Sequence, residues 1–80
     1  MNILKTQPQF PRDSYISDAL YNTSRSVNPN IKYSQGLIVG IATVMIALGW
    51  SAEDAFSYIK ARLPMDYHED CIPRPWREYL

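Results

Sequence analysis

The hydrophobic residues of this chain fall into one long block flanked by two shorter, periodic ones. From Leu37 to Leu48 the only positions that are not plainly apolar are Gly40 and Thr43, and between Arg25 and Glu53 the sole charge is Lys32. A block apolar on every face must, in water, be surrounded by other parts of the chain, by a second subunit or by lipid. Its β-branched content makes a strand a rival, but twelve unbroken residues running up to a glycine predict a helix. Gly49 can adopt the left-handed conformation that closes a helix, and Ser51 can cap the next one, with Asp54 three positions on in a variant capping box. These signals predict an αα-hairpin with a very short corner.

The flanking blocks show helical spacing. Tyr15, Ile16, Ala19, Leu20 and Thr23 recur at intervals of three and four, with Asp13 or Ser14 available as N-cap, which predicts a short amphipathic helix over about Ser14 to Thr23. Asn28-Pro29-Asn30 then signals a turn, because proline fixes its own φ and pushes the preceding residue out of the helical region. Past the corner, Ala52, Ala55, Phe56, Ile59 and Leu63 form one stripe, Glu53 and Asp54 sit in the first turn, Lys60 and Arg62 near the last, and Pro64 stops the helix. The resulting expectation is an all-α fold: an extended arm over residues 1–12, a three-helix domain over 13–64 with a central apolar helix, and a C-terminal tail over 65–80. The tail mixes acidic residues with Pro73, Pro75, Trp76, Tyr79 and Leu80 and is too aromatic to stay in solvent, so it is expected to dock on the hairpin, with Pro75 opening a last helical turn.

Length and charge narrow the functional classes. Eighty residues make one domain at most, and a chain this short buries only about 60–65% of its unfolded surface. A hydrophobic fraction of 46% excludes wholesale disorder. Eight Lys and Arg balance eight Asp and Glu, which argues against a protein that works by neutralising phosphates. A single Cys leaves no disulfide framework, so a reducing, cytoplasmic setting is expected.

Three pieces of chemistry can be weighed. His68-Glu69-Asp70-Cys71 is the one run of metal-competent or nucleophilic side chains, but four consecutive residues cannot all turn toward one ion, and the carboxylates nearby disfavour a thiolate. That run is expected to be a solvated acidic stretch with Cys71 half packed, and neither metal, cofactor nor catalysis is expected. Gly36-x-x-x-Gly40 within an apolar helix is the pattern by which membrane helices pair. The strong apolar run covers about fourteen residues, from Leu37 to Trp50, against the roughly 20 that span a bilayer, so a core helix is favoured; stretching the run back to Ile31 keeps a membrane-inserted or oligomeric structural protein as an alternative. Helix-Gly-Trp-Ser-helix has the outline of a DNA-binding helix-turn-helix, yet the residues that would enter the groove are Glu53 and Asp54.

Residues 44–56, followed by Ile59-Lys60, resemble the last helical hairpin of ANTAR-type RNA-binding antiterminators, and are similar also to the helices after the phosphate loop of dual-specificity phosphatases. The resemblance covers about seventeen of eighty residues. The phosphatase Cys and Arg loop has no counterpart between Asn30 and Gly36, and the antiterminator's basic positions hold Ser34, Gly40 and Ile41, so no functional residue is carried from either. The antiterminator likeness supplies the nucleic-acid-binding regulator as a second alternative.

The leading expectation is a small non-enzymatic protein-binding module, of the kind a phage or plasmid uses to inhibit or regulate a larger host protein. Trp and Tyr are the side chains that most often anchor interfaces, which singles out Trp50 at the corner and Trp76, Tyr79 and Leu80 in the tail, with Arg74 and Arg77 beside them. An all-round apolar helix in so small a chain also predicts self-association.

Overall fold

The computed structural model describes residues 12–79, and no side-chain placement is described for Tyr79. Three helices, α1 (Asp13–Ser24), α2 (Ile31–Ala47) and α3 (Ala52–Arg62), are followed by two 3-10 segments, Glu69–Cys71 and Arg74–Tyr79. Among the described residues there is no strand, only an isolated antiparallel bridge between Arg25 and Tyr67. The chain is an all-α domain. The bulk of the expected N-terminal arm, and Leu80, lie outside the described residues.

Local chemistry explains the ends of α2 and α3. Asn30 caps α2: its side-chain oxygen accepts the Tyr33 amide at 3.3 Å, directly after Pro29. The helix therefore begins six residues before the apolar block, because a polar run from Lys32 to Gly36 is helical too. At the other end Gly49 takes φ +106°, its N–H donates to Ile46 O at 3.0 Å and the Trp50 N–H donates to Met45 O at 3.0 Å. This pair of bonds is the Schellman closure, which satisfies carbonyls the helix would otherwise leave open. Ser51 Oγ then accepts the Asp54 amide at 3.0 Å and starts α3. Leu63, preceding Pro64, is already extended at ψ 149°, so the helix stops where proline forbids it to continue.

The start of α1 differs from expectation. Arg12, not Asp13 or Ser14, occupies the N-cap position, with no side-chain capping bond. Asp13 lies inside the first turn and spends its carboxylate on α3 instead. Tyr15 also leaves the expected inward stripe and is exposed, since the buried ridge of α1 is Ile16, Leu20 and Ser24. On α3, Ala52 is exposed, while Ala55, Phe56 and Ile59 are buried.

Ile16 and Leu20 meet Ile38, Ile41, Ala42 and Met45 of α2, Ala55, Phe56 and Ile59 of α3, and Ile72 from between the 3-10 segments. Leu37, Tyr58, Leu63, Tyr67 and Trp76 pack around this core. One polar contact lies inside: the hydroxyls of Ser24 and Ser34, both fully buried, approach to 3.2 Å between α1 and α2. After α3 the chain runs back beside the end of α1, where the Ser26 N–H donates to Asp66 O at 2.9 Å and the His68 N–H donates to Ser24 O at 2.6 Å. Gln35 Nε2 holds Asp70 O at 2.7 Å, fastening α2 to the first 3-10 segment.

Candidate protein-binding surface

At 3.6 residues per turn, the buried positions of α2 (Ser34, Ile38, Ile41, Ala42 and Met45) define an inner face, and the opposite face is led by Lys32, Gly36, Gly40, Thr43 and Ala47. All five of these residues are exposed. Bulkier apolar side chains flank that line, with Val39 and Ile46 on one side and Tyr33 and Val44 on the other. Val39, Val44 and Ile46 expose 42%, 47% and 43% of their surface, and Leu48 and Trp50 continue the patch at the corner with 65% and 45%. The central helix is thus not enclosed all round by the other described residues. Between Lys32 and Glu53 this face carries no charge at all.

Packing among the described residues does not explain the two glycines on the face. Among the described residues, a Cβ built on Gly36 or Gly40 meets nothing within 4 Å, and neither glycine has a positive φ. Each costs its helix about 1 kcal/mol relative to alanine. Thr43, next on the line, turns its hydroxyl inward along the helix, donating to Val39 O at 2.7 Å, so its methyl group is what it can offer to a neighbour.

Side-chain contacts hold the corner against α3 and α1. Trp50 sits edge-on to Tyr58, with ring centroids 5.8 Å apart and planes at 78°. The Arg62 guanidinium carbon lies 3.4 Å from the Tyr58 ring centroid, and Arg62 Nη2 donates to Asp13 Oδ2 at 2.7 Å. The Tyr58 hydroxyl donates to the other oxygen of the same carboxylate. Hydrogen bonds from Arg62 first and Tyr58 second hold Asp13 below the ordinary carboxylate pKa. Burial, followed by the bond to Asp13, pushes the Tyr58 phenol up.

The tail residues singled out from sequence have a different placement. Trp76 is half-buried, tilted against Phe56 with centroids 5.9 Å apart. Arg77 is a fastener: its Nε donates to Ile72 O at 3.0 Å and its Nη2 lies 3.4 Å from Asp70 Oδ1. Arg74 is exposed. Tyr79 closes the last 3-10 segment without a described side-chain placement, and Leu80 is outside the described residues. Trp50 and Trp76 rest on Tyr58 and Phe56, two positions apart on α3 and so on different sides of that helix. The two tryptophans do not form one patch.

The His68–Cys71 run is dispersed in the same way. His68 Nδ1 accepts the Asp70 amide at 3.1 Å, and Cys71 is fully buried with its Sγ toward Thr23 O at 3.8 Å, rather than half packed. Among the described residues no group of three His, Cys, Asp or Glu could hold a metal ion, and no helix is long and apolar enough to cross a membrane. Sequence reasoning missed Val39, Val44, Ile46 and Leu48 as surface residues; the signal that could have found them is the pair of glycines at a spacing of four on a segment free of charge. Comparisons with protein-family models, with curated proteins and with solved structures find no match to this chain.

Proposed function

We propose that this chain is a non-enzymatic protein-binding module that engages another polypeptide through the outer face of α2 and the adjoining corner at Trp50. The single observation that carries this reading is the set of exposed apolar side chains, Val39, Val44, Ile46, Leu48 and Trp50, on a segment that holds no charge between Lys32 and Glu53. A small domain already short of buried surface gives up hydrophobic stabilisation by leaving these side chains in water, and contiguous exposed apolar patches on small proteins mark interaction sites. The edge-on Trp50–Tyr58 pair adds an aromatic anchor of the type that dominates binding energy.

Charge supports a protein partner over a nucleic acid. Glu53 and Asp54 occupy the exposed first turn of α3, shortly after Trp50 in sequence, where they repel phosphate. A cytoplasmic setting is part of this proposal, supported by a sequence whose single Cys offers no intrachain disulfide framework. Its mode of action is to occlude or adapt a larger protein, as a phage- or plasmid-type inhibitor or regulator does.

Photocrosslinking in the native host tests the reading. A photoreactive residue in place of Ile46 is expected to yield covalent adducts with a polypeptide, whereas the same residue in place of Ser57, exposed on α3, yields none. Equal labelling at both positions, or none at 46, rejects it.

A further inference from the structure

We infer that the cavity between the last turn of α1 and the loop after it binds a carboxylate group, held by Arg25 with Asn22 and Asn28. The site is built ahead of α2 and does not depend on the reading of the α2 face. The cavity opens to solvent, has a volume of about 170 Å³ and is lined by Asn22, Arg25, Val27 and Asn28. Cofactor and drug-sized pockets run to about 300–1,000 Å³, so this one suits a small organic group.

Local chemistry fixes the bend that carries these side chains. Arg25 leaves α1 in extended backbone at ψ 140°, and Pro29 keeps Asn28 out of the helical region. The Asn30 N–H donates to Thr23 O at 2.8 Å and closes the loop on itself. The Ser26 N–H donates to Asp66 O at 2.9 Å and the His68 N–H to Ser24 O at 2.6 Å, which fastens the loop to the segment after α3. The loop backbone is thus engaged inside the fold, while the side chains around the cavity are not. Those of Asn22, Arg25 and Asn28 form no hydrogen bond or ion pair with another described residue. The Arg25 guanidinium carbon lies 4.9 Å from the Tyr21 ring centroid, a contact that holds the cation but supplies no oxygen acceptor.

Three uncommitted donor groups therefore line one small cavity, with Val27 as its apolar wall. The planar guanidinium matches the two oxygens of a carboxylate, and the asparagine amides add N–H donors beside it. Charge selects a monoanion. Arg25 is the one cation lining the cavity, which sits at the negative end of the α1 dipole. Asp18, exposed and one turn before Asn22 on α1, adds a further negative charge. A phosphate dianion would leave a charge uncompensated there. The Asn30 and His68 amides already occupy Thr23 O and Ser24 O, which removes two acceptors that would oppose a carboxylate.

NMR titration of the full chain with sodium propionate, chloride holding the ionic strength constant, tests the inference. Saturable shifts are expected at the Asn22 and Asn28 side-chain amides and at Arg25 Nε–H, with half-saturation at about 1–20 mM, as befits a ligand of few atoms. Arg25→Gln is expected to weaken binding at least tenfold, and Arg25→Lys, which keeps the charge and loses the fork, about fivefold. Asn28→Ala, outside every helix, gives a second readout with a loss of about threefold. Circular dichroism melting checks that each variant folds. Acetate is expected to bind up to about fourfold more weakly than propionate, and Val27→Ser to erase that difference. Acetyl-Ala-Ala and its C-terminal amide separate the sources of the group. A free acid tighter than propionate assigns the site to a polypeptide C-terminus, and one no tighter assigns it to a small free acid. Shifts that never saturate, an Arg25→Gln or Asn28→Ala variant that binds like the wild type, inorganic phosphate tighter than propionate, or a peptide amide equal to its acid overturns the inference.

Discussion

Arg62 and Asp13, forty-nine positions apart in sequence, are joined by a 2.7 Å charge-assisted hydrogen bond that ties the first turn of α1 to the last turn of α3. Arg62 also covers the Tyr58 ring, and Tyr58 shares the Asp13 carboxylate, so one aspartate holds two α3 side chains next to the Trp50 corner.

This clasp makes stability depend on pH at both extremes. The Asp13 pKa is lowered on folding, so its contribution is present above the unfolded value, near 4, and is lost as pH falls through the folded value. The Tyr58 pKa is raised, so its contribution is present below the unfolded value, near 10, and is lost as pH rises through the folded one. Thermal melts are expected to show a drop below about pH 4 that is smaller in Asp13→Asn. Ultraviolet titration is expected to show one tyrosine ionising later in the wild type than in Asp13→Asn. Identical acid profiles for the two proteins would rule the clasp out.

The buried Ser24–Ser34 pair sets up a double-mutant cycle. Ser34→Ala alone strands the Ser24 hydroxyl and is expected to cost about 1–3 kcal/mol in urea denaturation. Removing both hydroxyls strands nothing, so the double variant is expected to lose less than the sum of the two singles. Strict additivity would mean that the two hydroxyls do not bond to each other.

Ile72 sits fully buried in the helical core although it belongs to the segment after α3. Ile72→Ala is expected to destabilise the whole domain by about 2–5 kcal/mol in one cooperative transition. For a chain of this length that is a large part of the total stability. A loss below about 0.5 kcal/mol, typical of surface changes, would show that the segment is not part of the fold.

Gly36→Ala and Gly40→Ala are each expected to stabilise the monomer by about 0.5–1 kcal/mol, measured by thermal melting at low concentration. Both sit in helical backbone with no described residue within 4 Å of a new methyl group. Destabilisation by either would show that an intrachain neighbour already uses the space.

The parts of the fold that were legible in the sequence are those fixed by chemistry within a few residues. Gly49 and Ser51 announce the corner and Pro64 announces the end of α3, because a left-handed cap, a side-chain cap and a missing N–H act on their immediate neighbours. Helix α1 could be read from Ile16 and Leu20, but the role of Asp13 could not: its partners are Tyr58 and Arg62, which only folding brings near. Asn30 reads as a turn residue after Pro29, and its bond to the Tyr33 amide appears only once the chain has folded. The binding face was the least legible part. Where every position from Leu37 to Leu48 is apolar or small, periodicity no longer distinguishes inside from outside, and only the packing of α1 and α3 decides that Ile38 is covered and Val39 is not. Trp76 was singled out on residue type, which says nothing of how it packs; folding sets its ring against Phe56 and leaves it half-buried.

The protein-binding reading depends on the outer face of α2 lying open in the isolated molecule. Methyl NMR with a soluble paramagnetic agent measures this directly, by comparing Val39, Val44 and Ile46 in dilute protein with Val27, which is 81% exposed, and with the fully buried Ile38 and Ile59. Broadening of the three face methyls close to that of Val27 is the expected result. Protection matching Ile38 and Ile59 in a demonstrated monomer would mean that the chain covers this face itself, and would contradict a binding surface there.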